Sequence, residues 1–275
     1  MTIYNTGEVL GELDRCIKHD EPFSHIRFGD GGIKFLHSVL YDDQDQLQII
    51  IRKEGLPPHK IVEIFELWGY YARAATFIDS PEVYFNNTFW PRVKKPGKAI
   101  NSDTELKLRD WYKYYDDAEF DNESYCNPES NYLMILKTSK YKNIFDLMKK
   151  RRVCIISVFP RIKYELNKLK YKADIVQIVA HYQNQYKNSF TQVTELIKEK
   201  ATSYDFWLVA AGELGRIYSG LIKEYGGRTI DIGFVIEYWL TGYIHPRLHA
   251  YLTRNKKNKF ELSLTEKGRE YLEYI

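Results

Sequence analysis

Two polar clusters, one near each end of the chain, have residue types and spacing that suit the binding of a phosphorylated ligand. The first is Arg27-Phe-Gly-Asp-Gly-Gly32, in which an aspartate lies between glycines after an alternating, strand-like segment. The second is Gly212-Glu-Leu-Gly-Arg216, followed along the chain by Asp231 and Glu237. Glycines let a ligand approach the backbone, and the N–H groups that open a helix bind phosphate together with arginine. The clusters therefore indicate the two halves of a nucleotide-binding site.

Both clusters also have purely structural interpretations. An aspartate flanked by glycines, as at Asp30, occurs in ordinary turns. Arg216 can pair with a nearby carboxylate at the start of a helix. The glycine spacing matches neither the dinucleotide fingerprint nor a P-loop, which needs Gly-Lys followed by Ser or Thr. Neither cluster alone specifies a reaction.

The second half of the chain alternates between predicted strands and helices. Apolar runs and amphipathic spacing predict strands at 153–158, 175–179, 206–210 and 229–232, and helices at 161–170, 190–200, 214–225 and 234–240. Alternation of this kind predicts an α/β fold with a mostly parallel sheet flanked by helices. Ligands bind such sheets at the carboxyl ends of the strands, where the polar clusters lie.

The first half of the chain is less regular. It contains predicted helices at 7–18, 33–40 and from Pro57 to about residue 76, and predicted strands at 23–28 and 83–85. The aromatic-rich segment 90–128 is interpreted as an irregular insertion or lid, and 251–275 as a C-terminal appendage. We expect one domain over residues 1–275.

Two further candidate residues follow predicted strands at the ligand-binding edge of the sheet. Arg161 comes after the 153–158 strand, and His181 after the 175–179 strand. A histidine in that place can act as a base or position a phosphate, but it can also be a hydrogen-bonded structural group.

Composition limits the class of protein. A net charge of +3 is weaker than the dense basic face of a dedicated nucleic-acid binder. Three widely spaced cysteines, with no signal peptide and no apolar run of membrane-spanning length, predict a reduced, cytoplasmic protein.

Taken together, the two clusters resemble the GT-D-type glycosyltransferases. The resembling segments are His25-Ile-Arg-Phe-Gly-Asp-Gly31, Ala211-Gly-Glu-Leu-Gly-Arg216 and Gly226-Gly-Arg-Thr-Ile-Asp-Ile-Gly233. The family has an Arg-[Phe/Tyr/Leu]-Gly-Asp-Gly-Glu segment, then a Gly-rich helix start, a Gly-Gly-x-x-x-Asp-Ile-Gly segment and an acidic residue. The order of the motifs agrees, and the middle of the chain is unmatched.

The resemblance implies a Rossmann-like sheet and transfer of a sugar from a nucleoside-diphosphate sugar, first of all a UDP-sugar, to an acceptor hydroxyl. The acceptor is not identified, and a glycan, a protein and a modified nucleic acid all stay open. We expect Glu237, then Asp231, then His181 as the base that an inverting transfer needs. The residues expected to border the donor are Arg27, Gly29, Asp30, Gly31, Arg161, Gly212, Glu213, Gly215 and Arg216.

One departure from the family pattern concerns the expected metal ligand, Asp30. Where the family has Asp-Gly-Glu, this chain has Asp30-Gly-Gly32, so one carboxylate of the pair is missing. Mn²⁺ or Mg²⁺ prefers several oxygen ligands. Either Glu237 or Glu213 substitutes, or an arginine neutralises the leaving diphosphate, or activity has been lost. The alternatives to an active enzyme of this kind are an inactive sugar-nucleotide- or glycan-binding module and a glycosyltransferase of modified nucleic-acid bases.

Overall fold

The computed structural model describes residues 2–27, 38, 44–79, 124–126, 144–180, 183–233 and 236. Its strands are β1 (Thr2–Tyr4), β2 (Phe23–Ile26), β3 (Phe77–Asp79), β4 (Ser124–Cys126), β5 (Arg152–Ser157), β6 (Lys172–Gln177), β7 (Phe206–Ala210) and β8 (Arg228–Asp231). Its α-helices are α1 (Thr6–His19), α2 (Gln44–Glu54), α3 (Ile61–Ala74), α4 (Ile144–Met148), α5 (Arg161–Lys168), α6 (Thr191–Lys200) and α7 (Gly215–Glu224).

The described strands form one sheet in the order β1-β4-β3-β2-β8-β7-β5-β6, and every neighbouring pair is parallel. The predicted α/β fold with a parallel sheet is therefore confirmed. Strand β4 lies inside the segment interpreted from sequence as an insertion, and it pairs with β1 and β3.

Helices cover both faces of the sheet, because successive side chains of each central strand point to opposite sides. On β5, Val153 and Ile155 pack into the layer that holds α1, α4 and α5. Cys154 and Ile156 pack into the layer that holds α3, α6 and α7. All four side chains are buried, which explains why β5 reads as a continuous apolar run.

Helix α7 lies directly against α3. A Cβ atom on Gly220 would come within 2.0 Å of the Tyr71 ring, so only glycine allows this approach of the two helices. The Tyr71 hydroxyl donates a hydrogen bond to Glu224 Oε2 at 2.6 Å. These contacts fix α7, whose first turn carries Arg216.

Most predicted elements of the described regions are confirmed, with shifted ends. Helices α1, α3, α5, α6 and α7 and strands β2, β5, β7 and β8 lie where the patterns placed them. Strand β6 begins at Lys172, earlier than predicted, and β1, β3, β4, α2 and α4 were not predicted. The predicted strand 83–85 and appendage 251–275 lie outside the described residues. So do the predicted helices 33–40 and 234–240, except Ser38 and Ile236. None of the described helices has the length and apolar character to cross a membrane.

Candidate functional site

The centre of the sheet contains a seam between β2 and β8. Thr229 of β8 lies opposite Ser24 of β2 in parallel register. Beyond β2 the chain continues to α3 on one face of the sheet. Beyond β8, Ile232 and Ile236 pack into the opposite layer. Adjacent strands whose continuations go to opposite faces leave a crevice at their carboxyl ends, which is where open α/β sheets bind ligands.

Arg27 follows β2 at this crevice and is partly exposed. Its guanidinium lies so close to Gly233 that a Cβ atom there would be 1.6 Å from Arg27 Nη1. Gly233 also has a φ of +53°, in the left-handed region that favours glycine. The glycine after β8 therefore makes room for the cation that follows β2.

Asp231 ends β8 and is 4% exposed. Its Oδ1 accepts a hydrogen bond from the Gly233 N–H at 3.1 Å. Burial raises the pKa of this carboxyl, whereas the positive charges of Arg27 and Arg216 oppose that rise. The carboxylate therefore lies within electrostatic reach of both arginines.

Arg216 connects the two motifs. Its Nε donates a hydrogen bond to the Arg27 carbonyl oxygen at 2.9 Å, across 189 residues of chain. Its Nη1 lies 2.6 Å from Glu213 Oε2, and its guanidinium lies over the Trp68 ring, 5.8 Å from the centroid. Arg216 is 5% exposed. It therefore makes the pairing with a nearby carboxylate that the sequence left open, and it ties the β7–α7 turn to the end of β2.

The glycines of the β7–α7 turn allow tight backbone packing. Gly212 has a φ of +55°. A Cβ atom on Gly215 would lie 3.2 Å from Val209 Cγ1. The buried Gln185 Nε2 donates a hydrogen bond to the Ala211 carbonyl oxygen at 3.2 Å and so holds the turn in place.

A buried histidine–aspartate pair adds two residues that sequence reasoning did not single out. His25 Nε2 lies 3.3 Å from Asp79 Oδ1, and the two side chains are 0% and 3% exposed. They come from the neighbouring strands β2 and β3. The available signal was a carboxylate directly after the apolar pair Phe77-Ile78, since a strand end of this kind joins the ligand-binding edge.

Of the remaining predicted residues, the structure describes Arg161, which does not lie at the seam. Arg161 lies at the start of α5 after β5, which β7 separates from β8. Its side chain is 71% exposed and its Nε lies 3.0 Å from Glu165 Oε1. The predicted residues that lie outside the described part of the chain are Gly29, Asp30, Gly31, His181 and Glu237.

Comparison with known proteins gives a distant structural likeness. No family model matches the chain, and neither does a curated protein. A solved structure described as "The highly conserved domain of unknown function 1792 has a distinct glycosyltransferase fold" is similar at 15% identity and a TM-score of 0.42. The match covers 95% of this chain and 92% of that chain. The α/β assignment of this chain rests on its own strand order and parallel pairing.

Proposed function

We propose that the protein is a glycosyltransferase that moves a sugar from a nucleoside-diphosphate sugar, first of all a UDP-sugar, to an acceptor hydroxyl. The observation that carries this proposal is the hydrogen bond between Arg216 Nε and the Arg27 carbonyl oxygen. It joins the two sequence motifs that resemble GT-D-type glycosyltransferases, at the crevice of a parallel sheet.

The leaving group of such a transfer is a nucleoside diphosphate, whose growing negative charge needs stabilisation. Arg27 is the partly exposed cation at the seam, and a guanidinium binds phosphate oxygens in a bidentate manner. The Gly215 N–H that opens α7 already donates to the Ala211 carbonyl oxygen, so the proposal rests on the guanidinium of Arg27. Arg216 has an indirect role, because its hydrogen bond to the Arg27 carbonyl oxygen holds the backbone of Arg27 in place.

A divalent metal is the other proposed source of positive charge, and its expected ligand Asp30 and the possible substitute Glu237 lie outside the described residues. Among the described residues, no group of three or more His, Cys, Asp or Glu is placed to hold a metal ion. Mg²⁺ and Mn²⁺ favour several oxygen ligands, and Asp231 already accepts the Gly233 amide. Of the described residues, the proposal assigns the diphosphate charge to Arg27, and a metal at Asp30 stays a proposal.

An inverting transfer also needs a base near the acceptor hydroxyl. Glu237, Asp231 and His181 remain the proposed bases in that order, and of these the structure describes Asp231. Burial raises its pKa, which favours proton uptake. Its bond to the Gly233 amide gives it a competing role in shaping the turn after β8.

The test is turnover and binding of purified protein with a panel of UDP- and GDP-sugars. We expect slow hydrolysis of at least one donor to free sugar, and a donor-induced rise in the unfolding temperature. Binding without turnover would instead identify an inactive sugar-nucleotide-binding module. The absence of both turnover and a thermal shift, with every donor tested, would overturn the proposal.

A further inference from the structure

The loops that enter β5 and β6 carry a concentration of positive charge on the edge of the sheet opposite the crevice. Arg152, the first residue of β5, lies beside Lys172, the first residue of β6, in parallel register, so the two loops are neighbours. Residues 144–174 contain nine Lys or Arg against three Asp or Glu, whereas the whole chain has a net charge of only +3. We call the exposed cations of the two loops the basic edge, which consists of Lys149, Lys150, Arg152, Lys168, Lys170 and Lys172.

Most of the positive charge of the basic edge is not neutralised by the fold. Lys149 pairs with Asp146 at 2.8 Å, and the carboxylate of Asp174 is taken by Lys163 at 3.0 Å. Like charges gathered on one surface repel each other and oppose compaction, so stability does not explain this cluster. Among the described residues, no carboxylate forms an ion pair with the other four lysines, which are Lys150, Lys168, Lys170 and Lys172.

The backbone of the basic edge is strained at two of these lysines. Lys150 and Lys170 have φ of 65° and 66°, in the left-handed region. They lie in the turns that follow α4 and α5, where glycine or asparagine is favoured and a residue with a branched-off Cβ is not. The sequence therefore has a cation at both turns in place of the residue that would stabilise them best. Strain retained in this way indicates a role for the two side chains outside folding.

Two exposed apolar side chains accompany the basic edge. Leu169 lies between Lys168 and Lys170 and is 47% exposed, and Tyr164 is 66% exposed. Tyr164 precedes Lys168 by four residues on α5, so the two share one face of the helix. An aliphatic side chain among lysines suits the boundary between lipid headgroups and acyl chains, and tyrosine suits the headgroup level.

The apolar residues decide which anionic partner fits. Membranes and nucleic acids both offer phosphate, but proteins that hold single strands stack the bases on exposed aromatic rings along a groove. Of the rings near this edge, that of Tyr204 is covered by the Arg152 guanidinium, 5.2 Å from the centroid. The exposed Leu169 contributes nothing to a phosphate backbone and can enter a lipid surface. We infer that the basic edge, together with Leu169, docks the protein on a membrane surface that contains anionic phospholipids.

The probe is vesicles of equal parts phosphatidylcholine and phosphatidylserine, compared with vesicles of phosphatidylcholine alone. We expect the full-length wild-type protein to sediment with the anionic vesicles and not with the neutral ones. Binding should weaken as sodium chloride is added, because salt screens exposed charges. Absence of binding to the anionic vesicles at low salt would overturn the inference.

The double variant Lys150→Asn and Lys170→Asn tests the basic edge and keeps the fold. Asparagine accepts the left-handed region better than lysine, so the unfolding temperature is expected not to fall. From the contribution of one lysine near an anionic surface, loss of both predicts vesicle binding about 30-fold weaker. The control is Lys187→Gln with Lys198→Gln, two exposed lysines in the layer on the other face of the sheet. The control removes the same charge and should bind as the wild type does, and equal losses in the two double variants would contradict docking through the basic edge.

Leu169→Ser separates a membrane from a nucleic acid as the partner. It leaves every charge in place and should weaken binding to anionic vesicles several-fold, because binding scales with the apolar area that enters the lipid. A DNA duplex and a single-stranded RNA serve as the competing probes. Unchanged vesicle binding in Leu169→Ser, or tighter binding of the wild type to either nucleic acid at equal phosphate concentration, would overturn the inference. None of these outcomes depends on the proposed glycosyl transfer.

Discussion

The guanidinium of Arg27 occupies the space in which Gly233 would carry a side chain, with Nη1 only 1.6 Å from the Cβ position. This contact joins the end of β2 to the turn after β8. It places the partly exposed cation of the first motif directly over the backbone of the second.

Gly233→Ala should therefore damage both stability and donor binding. The new methyl group displaces Arg27, and the φ of +53° is strained for any residue with a Cβ. We expect the free energy of unfolding to fall by about 1–3 kcal/mol in denaturant titrations. Gly11→Ala is the control, because nothing lies within 4 Å of its Cβ position. Inside helix α1 it should stabilise by about 0.5–1 kcal/mol. A Gly233→Ala protein as stable as the wild type would contradict this contact.

Arg27→Gln should weaken binding of the nucleotide-sugar donor while the fold survives. Loss of a charge-assisted hydrogen bond to a phosphate predicts a decrease of about 1.5–3 kcal/mol in donor binding, measured by calorimetry. Arg161→Gln is matched in chemistry but lies at α5, outside the seam. It is expected to leave the affinity unchanged, and equal losses in both variants would remove Arg27 from its proposed role.

Arg216→Met should act first on stability. It removes the partner of Glu213 and the donor to the Arg27 carbonyl from a position that is 5% exposed. We expect the free energy of unfolding to fall by about 2–3 kcal/mol in urea. Lys198→Met breaks an exposed pair with Glu195 and should change it by less than about 1 kcal/mol. Similar losses of unfolding free energy in the two variants would show that Arg216 does not hold the two motifs together.

Glu54→Gln should stabilise the protein increasingly as the pH rises. Burial and the negative charge of Glu213 raise the pKa of Glu54 from 4.5 to about 8, so the folded state holds a proton that the unfolded state releases. The free energy of unfolding of the wild-type protein therefore falls as the pH rises from about 4.5 to about 8. Midpoints of urea unfolding at pH 4 and pH 8.5 should show similar proteins at the lower pH and a more stable variant at the higher. A constant difference between the two would contradict the raised pKa.

The elements that sequence predicted best are those whose burial shows locally. Strands β5 and β7 are central, so both faces are covered and their residues form continuous apolar runs. Strands β1 and β4 are three residues each and are strands because they pair with each other. That pairing joins segments far apart in the chain, so no local sequence pattern indicates it.

The site was predictable only in part for the same reason. Arg27, Asp231 and Arg216 were singled out from the sequence because each lies near glycines at or just after the end of a predicted strand. The hydrogen bond from Arg216 to the Arg27 carbonyl oxygen and the contact of Arg27 with Gly233 depend on the register of β2 against β8. The pair His25–Asp79 depends likewise on the register of β2 against β3.

The order of strands also has a consequence for biosynthesis. The boundary between β2 and β8 divides the sheet into two halves. One half holds β1–β4 and the other holds β5–β8, so each half comes from one continuous part of the sequence. Arg27 precedes Arg216 by 189 residues. At about 5–20 residues per second, the ribosome takes about 10–40 s to cover that interval. During that time the nascent chain carries β2 without its neighbour β8, and the crevice is completed only after β8 has been made.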